Sequence, residues 1–183
     1  MILLSVNAQA GQERGLLLGV GMSRFTGSLN GEAYRLMPGI SLGAYMATSI
    51  TEKTSIKFEV LVMNKGVQIS SVGELYLHNA LIYAGAPIRI TSTLFDVGPF
   101  ILEGEIGTMP SLLIFGINDV GFMENIHAWD IGLLAGISLN HSAARVSFQF
   151  DQGLRKLLPS EAVDNRNRTY SVIFALPLKW SKE

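Results

Sequence analysis

The stretch WDIGLLAGISLN, residues 129–140, alternates strictly. Ile131, Leu133, Ala135, Ile137 and Leu139 share one face; Asp130, Gly132, Leu134, Gly136 and Ser138 share the other. A period of two is the mark of a β-strand. The faces differ in kind. One is bulky and apolar; the other is mostly small or polar and carries a charge.

The same contrast recurs outward from this stretch. Val146, Phe148 and Phe150 oppose Arg145, Ser147, Gln149 and Asp151. Tyr170, Val172, Phe174, Leu176, Leu178 and Trp180 oppose Thr169, Ser171, Ile173 and Ala175. Toward the N-terminus, Leu16, Leu18, Val20 and Met22 oppose Leu17, Gly19, Gly21 and Ser23. Ile40, Leu42, Ala44 and Met46 oppose Gly39, Ser41, Gly43 and Tyr45, and Ile56, Phe58, Val60 and Val62 oppose Ser55, Lys57, Glu59 and Leu61. Two segments are less regular. Residues 75–90 are apolar on both faces. In 94–106 the face of Phe95, Val97, Pro99 and Ile101 runs into Glu103 and Glu105, which a bulge near Gly104 or the edge of a bilayer would explain.

Alternation alone admits two architectures. A soluble sandwich or lipocalin-like barrel buries the bulky face; a membrane barrel turns it to lipid and encloses the small polar face. Strand length favours the second, since most runs reach the ~9–11 residues of a tilted membrane crossing, beyond the ~5–6 of ordinary strands. The connections alternate as well. Short ones are expected at Thr48–Lys53, Thr91–Thr93 and Asn140–Ala143, long ones at Thr26–Ala33, Val67–Glu74, Thr108–His127 and Lys156–Arg168. Short periplasmic turns and long outer loops are the expected topology of a closed antiparallel up-and-down transmembrane β-barrel of about eight strands, with both termini periplasmic. Phe25, Tyr34, Tyr45, Trp129, Tyr170 and Trp180, near strand ends, fit interfacial girdles.

Composition agrees. Only 16% of the 183 residues are charged while 48% are hydrophobic, and mean hydropathy is +0.32; ordinary soluble domains carry roughly 25% charged residues. No run is long enough for a membrane helix. The net charge of −1 supplies no field for nucleic acid. The absence of cysteine excludes disulfides, thiolate metal sites, a cysteine nucleophile and a lipid-anchored cysteine. At the N-terminus, the apolar run Ile2–Val6 followed by Ala8-Gln9-Ala10 has the form of a signal-peptidase site, so residues 1–10 read as the remnant of an export signal and 11–183 as one barrel domain.

Together the segments resemble the small outer-membrane barrels of Bacteroidetes, the PorT-like or outer membrane β-barrel domain family. The similarity runs from Gly15 to Trp180 through GLLLGVGMS, PGISLGAYM, IKFEVLVMNKG, YLHNALIYA, VGPFILEGE, WDIGLLAGISL, RVSFQFDQGLRKL and NRTYSVIFALPLKW. The chain departs from the family at Ala80, where proline is frequent, and at its end, where Ser181-Lys182-Glu183 follows Trp180. The resemblance implies the fold and an outer-membrane location in a Gram-negative cell; members share a fold more than an activity.

No enzyme chemistry is expected. His78, His127 and His141 lack ligand spacing, so neither a metal nor a cofactor is anticipated. His141-Ser142 is similar to the pair of barrel lipases, but it falls in a short turn without a suitable acid. No phosphate loop or nucleophile elbow is present. Two features remain. Lys57, Glu59, Asp130, Arg145, Gln149 and Asp151, with Arg89 as a further candidate, form a lumen polar network. It is read as a plug of ion pairs in a barrel just wide enough for side chains to fill. The apolar stretch within Thr108–His127, including Leu112, Leu113, Phe115, Phe122 and Met123, is read as a loop that folds over the mouth, extends the wall or docks on a partner. The expected function is thus a structural or accessory subunit of an outer-membrane assembly, contacting membrane lipid and other outer-membrane proteins through that loop or the barrel wall. A narrow pore for small solutes and a lipocalin-like apolar-ligand binder are the alternatives.

Overall fold

A computed structural model describes residues 12–26, 28–29, 32–70, 76–118, 127–141, 144–156 and 166–178. The segments read as an export signal and as the loop residues Phe122 and Met123 lie outside these. The strands are β1 (Gln12–Phe25), β2 (Ser28–Leu29), β3 (Glu32–Arg35), β4 (Met37–Ser49), β5 (Thr54–Ser70), β6 (Tyr76–Gly85), β7 (Ile88–Val97), β8 (Phe100–Asn118), β9 (Trp129–His141), β10 (Ala144–Gly153) and β11 (Asn167–Pro177).

All the pairings are antiparallel, and β1 closes the sheet by pairing with both β4 and β11, from Gly15↔Pro177 to Phe25↔Asn167. β6 and β7 are one crossing, interrupted at Ala86-Pro87, because proline has no N–H for the ladder. Backbone bonds bridge the gap: Ala86 N donates to Pro110 O at 2.9 Å and Glu59 N to Pro87 O at 3.0 Å. β3 prolongs the β4 crossing at the far end by pairing with β5, and β2 pairs with β3. The result is a closed eight-strand antiparallel barrel. One rim, the turn end, carries the bend at 50–53, the turn at 98–99 and the paired ends of β9 and β10 at His141 and Ala144; the other is the loop end.

Parity assigns the faces. Leu16, Leu18, Val20, Ile40, Leu42, Val60, Val62, Leu133, Ile137, Phe148 and Phe174 all point outward and are exposed. Inward positions hold the buried residues, including Lys57, Glu59, Lys65, Arg89, Glu105, Asp130 and Asp151. A lipocalin-like barrel would show the reverse. Phe25 and Tyr45, expected in girdles, instead face inward at 5% exposure; Trp129 and Tyr170 are outward and exposed.

Several boundaries differ from expectation: β5 runs to Ser70, into the loop anticipated at Val67–Glu74, and β2 and the start of β3 lie within the one anticipated at Thr26–Ala33. The turn anticipated at Thr91–Thr93 is mid-strand: Thr91 is buried and its hydroxyl meets that of Ser55 at 2.7 Å. Those hydroxyls serve the interior, and the true turn is Gly98-Pro99, where Gly98 takes φ 61°. Residues 94–106 are therefore two strands, and the bulge lies at Leu94 on β7 rather than at Gly104: Thr93 faces Glu103 and Phe95 faces Leu102, while Gly104 pairs regularly with Ser92. The anticipated loop Thr108–His127 is strand up to Asn118, so Leu112, Leu113 and Phe115 belong to the wall of β8. Its apolar run reflects an extended outward face, which answers to alternation rather than to loop chemistry.

The ladder between β4 and β5 is complete only from Ser49↔Ser55 to Ser41↔Met63. Beyond it β5 leans toward β1. Gly66 N donates to Ser23 Oγ at 2.7 Å, and that hydroxyl donates to Gly66 O at 2.8 Å. One serine thus satisfies both backbone groups of Gly66, which a buried backbone requires.

Candidate functional site: the filled lumen

The lumen charges form two clusters at different heights. The one near the turn end is built on neighbouring strands whose inward residues lie level. Lys57 and Glu59 come from β5, Arg89 from β7, Glu103 and Glu105 from β8, and Arg145 and Gln149 from β10. Lys57 Nζ donates to Glu105 Oε1 at 2.9 Å and lies 3.6 Å from Glu103 Oε2. Arg89 spans two carboxylates, Glu59 at 2.7 Å and Glu105 at 3.1 Å. Arg145 lies 3.6 Å from Glu103 and bonds Asn140; Gln149 Nε2 donates to Glu105 at 3.5 Å, and Ser138 Oγ to Glu103 at 3.4 Å. Three cations meet three carboxylates, so the cluster is neutral. Buried charges persist where they are paired and bonded in this way.

The cluster near the loop end is smaller. Lys65 Nζ meets Asp151 Oδ2 at 2.5 Å and sits 5.8 Å from the centre of the Tyr83 ring. Asp130 joins no salt bridge among the described residues; its Oδ1 accepts from the backbone N–H of Ile131 at 2.8 Å and of Arg155 at 3.2 Å. Gly132 and Gly153 face each other across β9 and β10. A Cβ at Gly153 would stand 2.5 Å from Asp130 Oδ2, and one at Gly132 would overlap Asp151 Oδ1. These glycines make room for two carboxylates.

Leu61, Met63, Leu81, Tyr83, Met109, Leu134 and Ile173 pack between the clusters. The cavity left there is about 40 Å³. That is room for about three waters, since one water needs ~10–15 Å³.

The six residues singled out from the sequence therefore separate. Lys57, Glu59, Arg145 and Gln149 share the turn-end cluster with Arg89; Asp151 is in the other, and Asp130 stands beside it on backbone bonds. Sequence reasoning missed Glu103, Glu105 and Lys65. The glutamates were obscured by the unrecognised Gly98-Pro99 turn, a dipeptide that signals one. Lys65 continues the inward series 57, 59, 61, 63, so extending the alternation would have found it. Of the histidines, His78 is on β6, His127 Nδ1 lies 3.1 Å from Arg155 at the loop end, and His141 stacks on Phe100 at the turn end with centroids 5.3 Å apart. Among the described residues no group of three or more metal-ligating side chains gathers.

No protein-family model and no curated protein matches the sequence. Solved structures do. Neisserial surface protein A shares 15% identity and a TM-score of 0.57 over 91% of this chain and 98% of its own. OprG of Pseudomonas aeruginosa shares 9% and 0.55 over 90% and 93%. Ail of Yersinia pestis, in complex with the heparin analogue sucrose octasulfate, shares 12% and 0.51 over 91% and 99%. At such identities the likeness is one of fold, and the fold is that of the small outer-membrane β-barrels.

Proposed function

We propose that the protein resides in the outer membrane of a Gram-negative cell with both termini periplasmic. There it works from its wall and loops, as a structural or accessory subunit of a larger assembly. The observation that carries this reading is the neutral, mutually consumed charge cluster in the lumen. A solute path needs continuous open volume, and the cavity beside these paired ions holds about 40 Å³. Its outward face, largely apolar between the rims, suits lipid. The likeness of its fold to small outer-membrane barrels supports the same location.

The extension of β8 is the surface we assign to a partner, a second outer-membrane protein. Leu113 N still donates to Ala128 O at 2.6 Å; past it β8 pairs with β6 on one side, and among the described residues no strand ladder continues along its other edge. Leu112, Ile114 and Phe115 are exposed there. An open apolar edge is a site for strand addition. The test is purification from native membranes with mass spectrometry of partners, beside conductance in planar bilayers. Wild type brings down a stoichiometric membrane protein and passes no steady current; Ile114→Asn with Phe115→Asn loses the partner while the barrel stays folded. Steady single-channel conductance would favour the pore. Unchanged partners in the double variant would remove the β8 edge from the account.

A further inference from the structure

The outward face of the barrel carries a basic pair above an apolar trough, and neither takes part in the lumen chemistry. Arg24 on β1 and Arg168 on β11 are direct cross-strand partners. They continue the outward series of Val20 and Met22 on one strand and Val172 and Tyr170 on the other. Like charges directly opposite on a sheet destabilise it unless something of opposite sign lies between. No carboxylate lies within ion-pair distance of either among the described residues. Arg168 Nε donates to Gln152 Oε1 at 2.8 Å and its guanidinium lies 5.8 Å from the Phe150 ring. Arg24 Nε is buried and without a hydrogen-bond partner. An arginine that merely extended to water would not hold that atom out of solvent.

One rung below lies the trough, roughly 1020 Å³, running across the strands. Its lips are two rungs of outward side chains: Met22, Tyr170 and Phe150 toward the arginines, and Val20, Val172 and Phe148 away from them. The Phe150 and Tyr170 rings pack 5.3 Å apart. Gly21, Gly136 and Ser171 form the floor between the rungs, where small side chains turned inward leave the backbone itself as the surface.

From this geometry we infer that Arg24 and Arg168 hold the phosphate of a phosphorylated membrane lipid whose acyl chain lies in the trough. A guanidinium presents a planar fork that matches phosphate oxygens, and two on adjacent strands bracket one phosphate. The same lipid then satisfies Arg24, relieves the like-charge pair and fills the groove. The inference rests on the membrane reading given above.

The test uses the full chain folded into detergent, with insertion scored first by the heat-dependent shift of a folded barrel on gels. Retention of lipid A, phosphatidylcholine or inorganic phosphate is then read by native mass spectrometry. Wild type retains lipid A in preference to phosphatidylcholine, and Arg24→Gln with Arg168→Gln lowers that retention about tenfold or more. Val172→Trp, which fills the trough and keeps both charges, also lowers it. Arg14→Gln, an exposed arginine at the opposite rim, leaves it unchanged. Lipid A retained equally by wild type and the double glutamine variant overturns the inference, as does displacement by inorganic phosphate at equal concentration. A folded barrel without lipid preference defeats this inference alone; a chain that never inserts defeats it together with the membrane reading.

Discussion

Alternate residues of β5 occupy opposite surroundings. Lys57 and Glu59 are 2% and 6% exposed, whereas Phe58 and Val60 between and beside them are 42% and 65% exposed. In a water-soluble barrel these assignments would exchange. The comparison teaches that sidedness here follows parity along the strand, and that each face is stabilised by its own means. The inner face depends on specific partners at specific distances. The outer face depends only on being bulky and apolar, so single residues there are interchangeable in a way that Lys57 or Arg89 is not.

Breaking the inner face has the largest effect. Arg89→Met strands the carboxylate of Glu59 in the lumen and leaves Glu105 to Lys57 alone, and removing one partner of a buried pair costs about 3–5 kcal/mol. Urea unfolding of the folded barrel measures this, and Glu59→Gln added to Arg89→Met restores part of the loss. Equal stability of wild type and Arg89→Met would mean that water reaches the cluster. Val60→Lys attacks the outer face at mid-strand. A lysine near the bilayer midplane costs about 2–4 kcal/mol in a barrel, measured by the same unfolding in lipid vesicles.

Smaller effects sharpen the contrast. Gly132→Ala sets a methyl against the Asp151 carboxylate, and overpacking of this kind costs about 1–3 kcal/mol; it also weakens the Lys65 pair, so Lys65→Met added to Gly132→Ala is expected to be less than additive. Ile50→Lys lies in the bend after β4, exposed at the rim, and shifts stability within about 0.5 kcal/mol. The gap between Val60→Lys and Ile50→Lys is the depth dependence that a membrane wall requires.

Much of this was legible in the sequence because a two-residue period survives any tertiary context that keeps one face enclosed. The stretch around Ile131–Leu139 shows it: bulky residues every second position, glycine, serine and aspartate between. What was not legible depends on which strands become neighbours. Glu105 reads as an error in an apolar face until the turn at Gly98-Pro99 is placed, and only the register of β8 against β7 brings it to Lys57 and Arg89. The apolar run from Met109 to Ile117 suggested a sticky loop because the strand expected before it ended too early. The pairing of Arg24 with Arg168 joins the first strand to the last, a contact that only closure of the barrel creates.

The most direct test of the outward assignment uses the absence of native cysteine. Spin labels are placed on single cysteines introduced in turn at Leu16, Leu18, Val20 and Met22, in vesicles, and their collisions with oxygen and with a water-soluble nickel chelate are compared. Collisions with oxygen exceeding those with the chelate at every position, most strongly at Leu18 and Val20, are the predicted result. Chelate collisions dominating along the series would place these side chains in water and contradict the account.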